Sequence, residues 1–172
     1  MKRVILDTNI YGLLAKDAER LKIVGRLKVE SGLVVYGFKL IRNELRKVPK
    51  TIKIEQRSFR IDLLNLYDSI IEEHILEFNN NLVKIAENYY KAYKELGGSK
   101  SKDELINDFM IVSVASLNNL DIVISNDEKS MKAEKAIRAY KLINSVISKR
   151  TPQLISYEEL KKLLRGGPNE LF

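Results

Sequence analysis

Four carboxylates in this chain stand where an acid needs a reason. Asp7 directly follows the apolar run Val4-Ile5-Leu6, and Asp127 stands two residues beyond the run Ile122–Ser125. Glu44 has Leu40, Ile41 and Val48 at its i−4, i−3 and i+4 positions, so its helical face is apolar. Asp108 has Leu105, Ile111, Val112 and Ala115 at i−3, i+3, i+4 and i+7. An ionised side chain on such a stripe is costly to desolvate unless it is paired or bound to a cation. Each acid alone has an ordinary explanation: Asp7 as a helix cap, Glu44 as a partner of Arg42 or Lys47, Asp127 as the holder of a turn. Four acids at equivalent places around one sheet edge call for a common one. Like charges 4 Å apart repel by roughly 4 kcal/mol at an effective dielectric of 20. A divalent cation removes that repulsion, and its waters can be activated for attack on a phosphodiester.

Composition narrows the chemistry further. With no cysteine, disulfides, thiolate zinc sites and thiol nucleophiles are excluded. The one histidine, His74, follows Glu72 and Glu73 and leaves no histidine-based metal cluster or Ser/His/Asp triad to build. Metal chemistry here must use oxygen ligands, which points to Mg²⁺, Mn²⁺ or Ca²⁺. The net charge of +7 suits a polyanionic partner such as nucleic acid, and ordinary solubility charge explains it equally well. No apolar stretch is long enough to span a bilayer, and an acid at position 7 is out of place in a signal peptide, so a cytoplasmic protein with no membrane partner is expected.

The elements that must position the acids follow from the apolar runs. Val4–Leu6, Leu33–Tyr36, Ile122–Ile124 and Gln153–Ser156 read as buried strands, with helical segments between them. That alternation predicts an α/β fold: an open twisted parallel β-sheet flanked by helices in three layers. In such sheets ligands sit beyond the carboxyl ends of the strands, where Asp7 and Asp127 fall. Thr8 or Asn9 is expected to cap the first helix, and residues 38–48 to form a short helix. An extended helical segment at about 54–96 is expected, bent around Asn79-Asn80-Asn81. Ser101 and Glu104 form a capping-box pattern opening a helix to about Asn118. Helices near 128–133 and 136–149 and a last one at 157–165 complete the pattern. Residues 1–165 read as a single domain and 166–172 as a flexible C-terminal tail.

The residues also resemble a family. Ile5-Leu6-Asp7-Thr8-Asn9 is similar to the opening motif of PIN-domain nucleases, and Ile41-Arg42-Asn43-Glu44-Leu45 to their second. Asn107-Asp108 with the apolar helix to Ala115 resembles the third, Ile122–Asp127 the fourth, and Thr151–Ser156 the closing strand. The resemblance implies a PIN-like fold, with Asp7, Glu44, Asp108 and Asp127 binding Mg²⁺ or Mn²⁺ and catalysing RNA hydrolysis. Within the family, the small single-domain members resemble the toxin halves of VapBC-type toxin–antitoxin pairs. That implies a cognate antitoxin and a homodimer. An RNA-processing nuclease outside such pairs, or a catalytically silent module that binds RNA or protein, are the competing readings.

Around the acids, Asn9, Ser125 and Asn126 could orient ligands or waters, and Asp103 is a further acid on the Asp108 helix, in its dipole-favoured first turn. Lys100, Lys102, Lys129, Arg42 and Arg46 are candidates to neutralise RNA phosphates, or else solvated helix flanks. Tyr89 and Tyr93 continue a helical stripe with Leu82, Ile85 or Ala86, and Leu96, which favours core packing over base stacking.

Overall fold

Val4, Ile5 and Leu6 have no exposed surface, which requires a strand covered on both faces and paired on both edges. In the computed structural model, which describes residues 1–29 and 32–166, β1 (Lys2–Leu6) is that strand. It lies between β2 (Leu33–Phe38) and β6 (Ile122–Ile124). Outside these run β5 (Ile75–Leu76) beside β2 and β7 (Gln153–Ile155) beside β6, giving the order β5-β2-β1-β6-β7 with every pairing parallel. The chain moves outward from β1 through β2 to β5, then returns to β1's other side for β6 and β7. The β1–β6 boundary is thus the point where the winding reverses, and a crevice opens there above the carboxyl ends of the strands.

Two groups of helices pack against the sheet. α5 (Asn80–Glu95), α6 (Lys102–Leu117) and α7 (Glu134–Val146) pack together, with Tyr89, Phe109 and Tyr140 meeting edge to face at their centre. The tyrosines of α5 therefore serve the core, as their spacing suggests; Tyr89 and Tyr93 are both buried. α1 (Thr8–Lys16), α2 (Arg20–Val29), α3 (Lys39–Lys47), α4 (Phe59–Ile71) and α8 (Tyr157–Gly166) make the other group. Gly37 explains how closely α4 approaches β2: a Cβ there would lie 2.4 Å from the Tyr67 hydroxyl and 2.5 Å from Ile71.

The three-layer parallel architecture agrees with the sequence reading, and several boundaries differ. The stretch 54–96 is not one helical hairpin. It opens with an antiparallel pair, β3 (Lys53–Ile54) and β4 (Arg57–Ser58), and α4 ends at Ile71, closed by Glu72, whose φ is 52°. The chain then adds β5 to the sheet edge against Gly37 and Phe38. A two-residue strand has no periodicity to read; only its neighbour makes it a strand. Asn79 is not a bend but the cap of α5, its side chain accepting from the backbone N–H of Asn81 at 3.0 Å and Leu82 at 3.2 Å.

Residues 128–132 form a hydrogen-bonded turn instead of a helix, α7 begins at Glu134 and ends at Val146, and the cap of α1 is Asp7 itself. The helix α2 has no counterpart in the sequence reading. Ser101 and Glu104 do open α6, the Glu104 carboxylate accepting from the Ser101 N–H at 2.8 Å. Of the expected tail, Gly166 belongs to α8, and 167–172 lie outside the described residues.

Candidate active site

Each of the four acids is delivered to the carboxyl end of the sheet by a different element. Asp7 ends β1 and caps α1, Glu44 lies on α3 just beyond β2, Asp108 lies on α6, and Asp127 follows β6. Asp7 is buried, at 4% exposure, and the other three are half-buried. Among the described residues none of the four is in an ion pair, although ten ion pairs link other side chains.

Neutral groups hold them instead. The Asp7 carboxylate accepts from the Thr8 N–H at 2.7 Å, the Ser125 hydroxyl at 2.7 Å and the Asn9 amide. Ser125 has no exposed surface and also takes the Asp127 N–H at 3.0 Å, so it ties the ends of β1 and β6 together. Asn9 crosses the same gap, its amide carbonyl accepting the Asn126 N–H at 3.2 Å. Glu44 accepts from the Thr8 hydroxyl and from the Asn107 amide at 2.7 Å. The Asp127 carboxylate takes the N–H groups of Lys129 and Ser130 at 3.0 and 2.9 Å, which shapes the turn after β6.

Ser130 occupies the most constrained place. Its hydroxyl, 4% exposed as a residue, lies within hydrogen-bond reach of both the Asp108 and the Asp127 carboxylates. A hydroxyl has one proton, so it cannot donate to two carboxylates at once. The arrangement is satisfied when one acid is protonated or when a cation stands between them. The electrostatics agree. Burial pushes Asp108 up from 3.8 to about 7, against the Ser130 hydrogen bond and with added repulsion from Asp7, Asp127 and Glu44. Burial likewise lifts Asp7 to about 6, offset by its bonds from Ser125 and Thr8 and reinforced by repulsion from Glu44 and Asp127. Asp7 and Asp108 thus both feel the charge of the neighbouring acids.

An oxygen-rich, ion-pair-free and mutually repelling set fits a hard divalent cation in donor chemistry. As the side chains stand, no three acids among the described residues converge closely enough to clasp one ion together. Each is turned onto its hydroxyl or amide partner, and gathering them requires rotation about the side-chain bonds.

The other expected residues divide. Asn9, Ser125 and Asn126 are in the network, whereas Asp103 is exposed at the start of α6. Arg42 is engaged in a two-pronged pair with Asp68 at 2.8 and 2.7 Å, and Lys102 pairs with Glu87 at 2.7 Å. The Arg46 side chain is exposed, its carbonyl accepting from Arg60. Lys100 is half-buried, its backbone held by the hydroxyls of Tyr90 and Tyr93. Lys129 is exposed beside Asp127. Beside the acids, a cleft of about 550 Å³ runs between α1 and the 126–129 turn. A second cavity, of about 400 Å³, lies along β7 among Lys2, Arg150 and Lys162, away from the acids.

Three contributors escaped the sequence reading as individuals: Thr8, Asn107 and Ser130. Ser130 left a signal, since Asp-x-x-Ser is a spacing at which an acid caps a turn. Thr8 and Asn107 are neighbours of Asp7 and Asp108, and nothing in the sequence pairs them with Glu44.

No protein-family model and no curated protein sequence matches this chain. Among solved structures it is similar to a chain of the crystal structure of VapBC2 from Rickettsia felis bound to a DNA fragment from their promoter. The TM-score is 0.58 at 14% identity, over 90% of this chain and 98% of that one. The likeness is one of fold: an open five-stranded parallel sheet between helical layers, of the PIN-like kind. Among the described residues no helix is long and apolar enough to cross a membrane.

Proposed function

We propose that this chain is a Mg²⁺- or Mn²⁺-dependent endoribonuclease, acting as the toxin of a toxin–antitoxin pair. The observation that carries the nuclease reading is the ion-pair-free quartet Asp7, Glu44, Asp108 and Asp127 above the point where the sheet's winding reverses. Catalytic carboxylates need this isolation, because a lysine or arginine partner would already have neutralised them.

In this reading the four acids hold the cation. Without it, Ser125 and Asn9 hold the Asp7 carboxylate and Thr8 and Asn107 hold that of Glu44, and these bonds to neutral partners would yield as the acids turn onto the ion. Ser130 sets the separation of Asp108 and Asp127. The bound cation supplies charge neutralisation at the phosphate and an acidified attacking water. The neighbour's toxin–antitoxin complex supports the toxin reading, with an antitoxin as partner; a second copy of this chain belongs to the same proposal through the family resemblance alone.

The decisive assay is cleavage of single-stranded RNA by the purified protein with Mn²⁺, with Mg²⁺ and with EDTA. Cleavage that requires the metal and stops with EDTA is expected, and Asp108→Asn should abolish it. Cleavage that survives chelation overturns the reading. Co-purification with the product of an adjacent reading frame, and growth arrest relieved by that product, tests the toxin assignment separately.

A further inference from the structure

The cleft between α1 and the turn after β6 adjoins the acids, Asp127 forming part of its wall, and most of its lining is not spent on holding them. Along α1, Asn9, Gly12, Leu13 and Lys16 line it, at the spacing of one helical face. Asn126 and Lys129 line the opposite side.

Gly12 is the telling residue. Glycine is the poorest residue for a helix interior after proline, so it needs a local reason there. Packing does not provide one, because a Cβ at Gly12 would meet no atom within 4 Å. Gly25 on α2 has equally open surroundings, but it is exposed and lies away from this cleft. What a side chain at position 12 would occupy is the space beside Asp127.

The polar lining is directed as well. The Asn126 carbonyl accepts the Tyr157 N–H at 2.7 Å, which fixes the orientation of the amide. Its NH₂ group then has no partner among the described residues and stays available to an acceptor. Lys16 and Lys129 are exposed and in no ion pair among the described residues; the Lys16 ammonium rests 5.2 Å from the centre of the Phe59 ring. Glu128, the other acid on this wall, is taken up by Lys132. The cleft therefore offers an open floor at Gly12 and Leu13, one amide donor and two cations, beside the carboxylates.

We propose that this cleft seats a single-stranded nucleotide flanking the phosphodiester that is cut. Its base lies over Gly12 and Leu13 against the Asn126 amide, and its phosphate charge is met by Lys16 and Lys129. This rests on the RNA-cleavage reading above and adds the binding site for the strand. A base lying flat in a cleft bounded by one helix and one turn is unpaired, so single strands are preferred to duplex.

The test compares wild type with Gly12→Leu, Lys16→Gln and Lys129→Gln, and with Gly25→Leu as the control for leucine in an open helical position. Binding of a fluorescent single-stranded oligoribonucleotide is followed by anisotropy in EDTA at several salt concentrations. Mn²⁺ affinity is measured by calorimetry without RNA. Gly12→Leu is expected to bind RNA at least about tenfold more weakly, a loss of about 1.4 kcal/mol, while keeping Mn²⁺ affinity and melting no lower than wild type. Each lysine variant should lower the slope of log affinity against log salt by about 0.7, and Gly25→Leu should bind as wild type. Wild-type RNA binding by Gly12→Leu, with unchanged slopes in the lysine variants, overturns the subsite and leaves the metal-dependent cleavage reading standing. A wild-type protein that neither binds nor cuts RNA with Mn²⁺ overturns both. If Gly12→Leu fails to fold, unchanged slopes in the two lysine variants overturn the proposal by themselves.

Discussion

Replacing Asp108 by asparagine should make the metal-free protein more stable at pH 8 and leave it nearly unchanged at pH 4. The carboxyl is lifted from 3.8 to about 7, chiefly by burial. Folding therefore takes up a proton between these values, and stability falls as pH rises from about 4 to about 7. Three pH units at about 1.4 kcal/mol each give a ceiling of about 4 kcal/mol for the cost of ionising Asp108 in the fold. An asparagine never carries that charge, and its amide can donate to the Ser130 hydroxyl, which is then free to donate to Asp127. Allowing for imperfect refitting of the amide, about 2–4 kcal/mol of gain is expected at pH 8, or roughly 5–15 °C in Tm for a chain of this size. Asp7, lifted to about 6, contributes a pH dependence of the same sign to both proteins. The difference between the two curves therefore reports Asp108 together with its repulsion of Asp7, and it should open between pH 4 and pH 7. The assay is a set of thermal melts in EDTA across pH 4–8, repeated with Mn²⁺. With Mn²⁺ the order should reverse, since only wild type gains the full binding contribution. A mutant less stable than wild type at pH 8 in EDTA, or two parallel curves, would show that the Asp108 charge is not penalised and refute the reasoning.

Asp103→Asn should leave cleavage and Mn²⁺ affinity close to wild type and cost at most about 1 kcal/mol, since the residue is exposed at the start of α6 and offers only a helix-dipole contact; a dead Asp103→Asn enzyme would mean that this turn bends toward the acids. Asp127→Ala should destabilise the metal-free protein by about 1–2 kcal/mol, because two N–H groups of the following turn lose their acceptor, whereas Asp127→Asn keeps that acceptor and should melt near wild type in EDTA. Equal melting temperatures for the two variants would remove Asp127 as the turn's anchor. Gly37→Ala should cost about 1–3 kcal/mol by overpacking against Tyr67 and Ile71, and a neutral result in urea unfolding would show that α4 shifts freely on β2.

Apolar runs and their spacing were enough to read the central strands, because residues buried on both faces of a parallel sheet must be apolar whatever surrounds them. The same logic exposed Asp7, Glu44, Asp108 and Asp127, since a charge on an apolar stripe conflicts with its neighbours in a way visible along the chain. The Ser101–Glu104 cap was legible because its partners are three residues apart. Elements without a local signature were not. β5 is a strand only because Gly37 and Phe38 offer it an edge, and 128–132 is a turn because Asp127 caps it. Tertiary structure alone decided which neutral group meets which acid. Ser130 reaches Asp108 across 22 residues and Asn107 reaches Glu44 across 63, distances over which the order of residues carries no pairing information. The sharing of one hydroxyl proton between two carboxylates depends on the fold in the same way, for it arises only where β6, its turn and α6 are packed together.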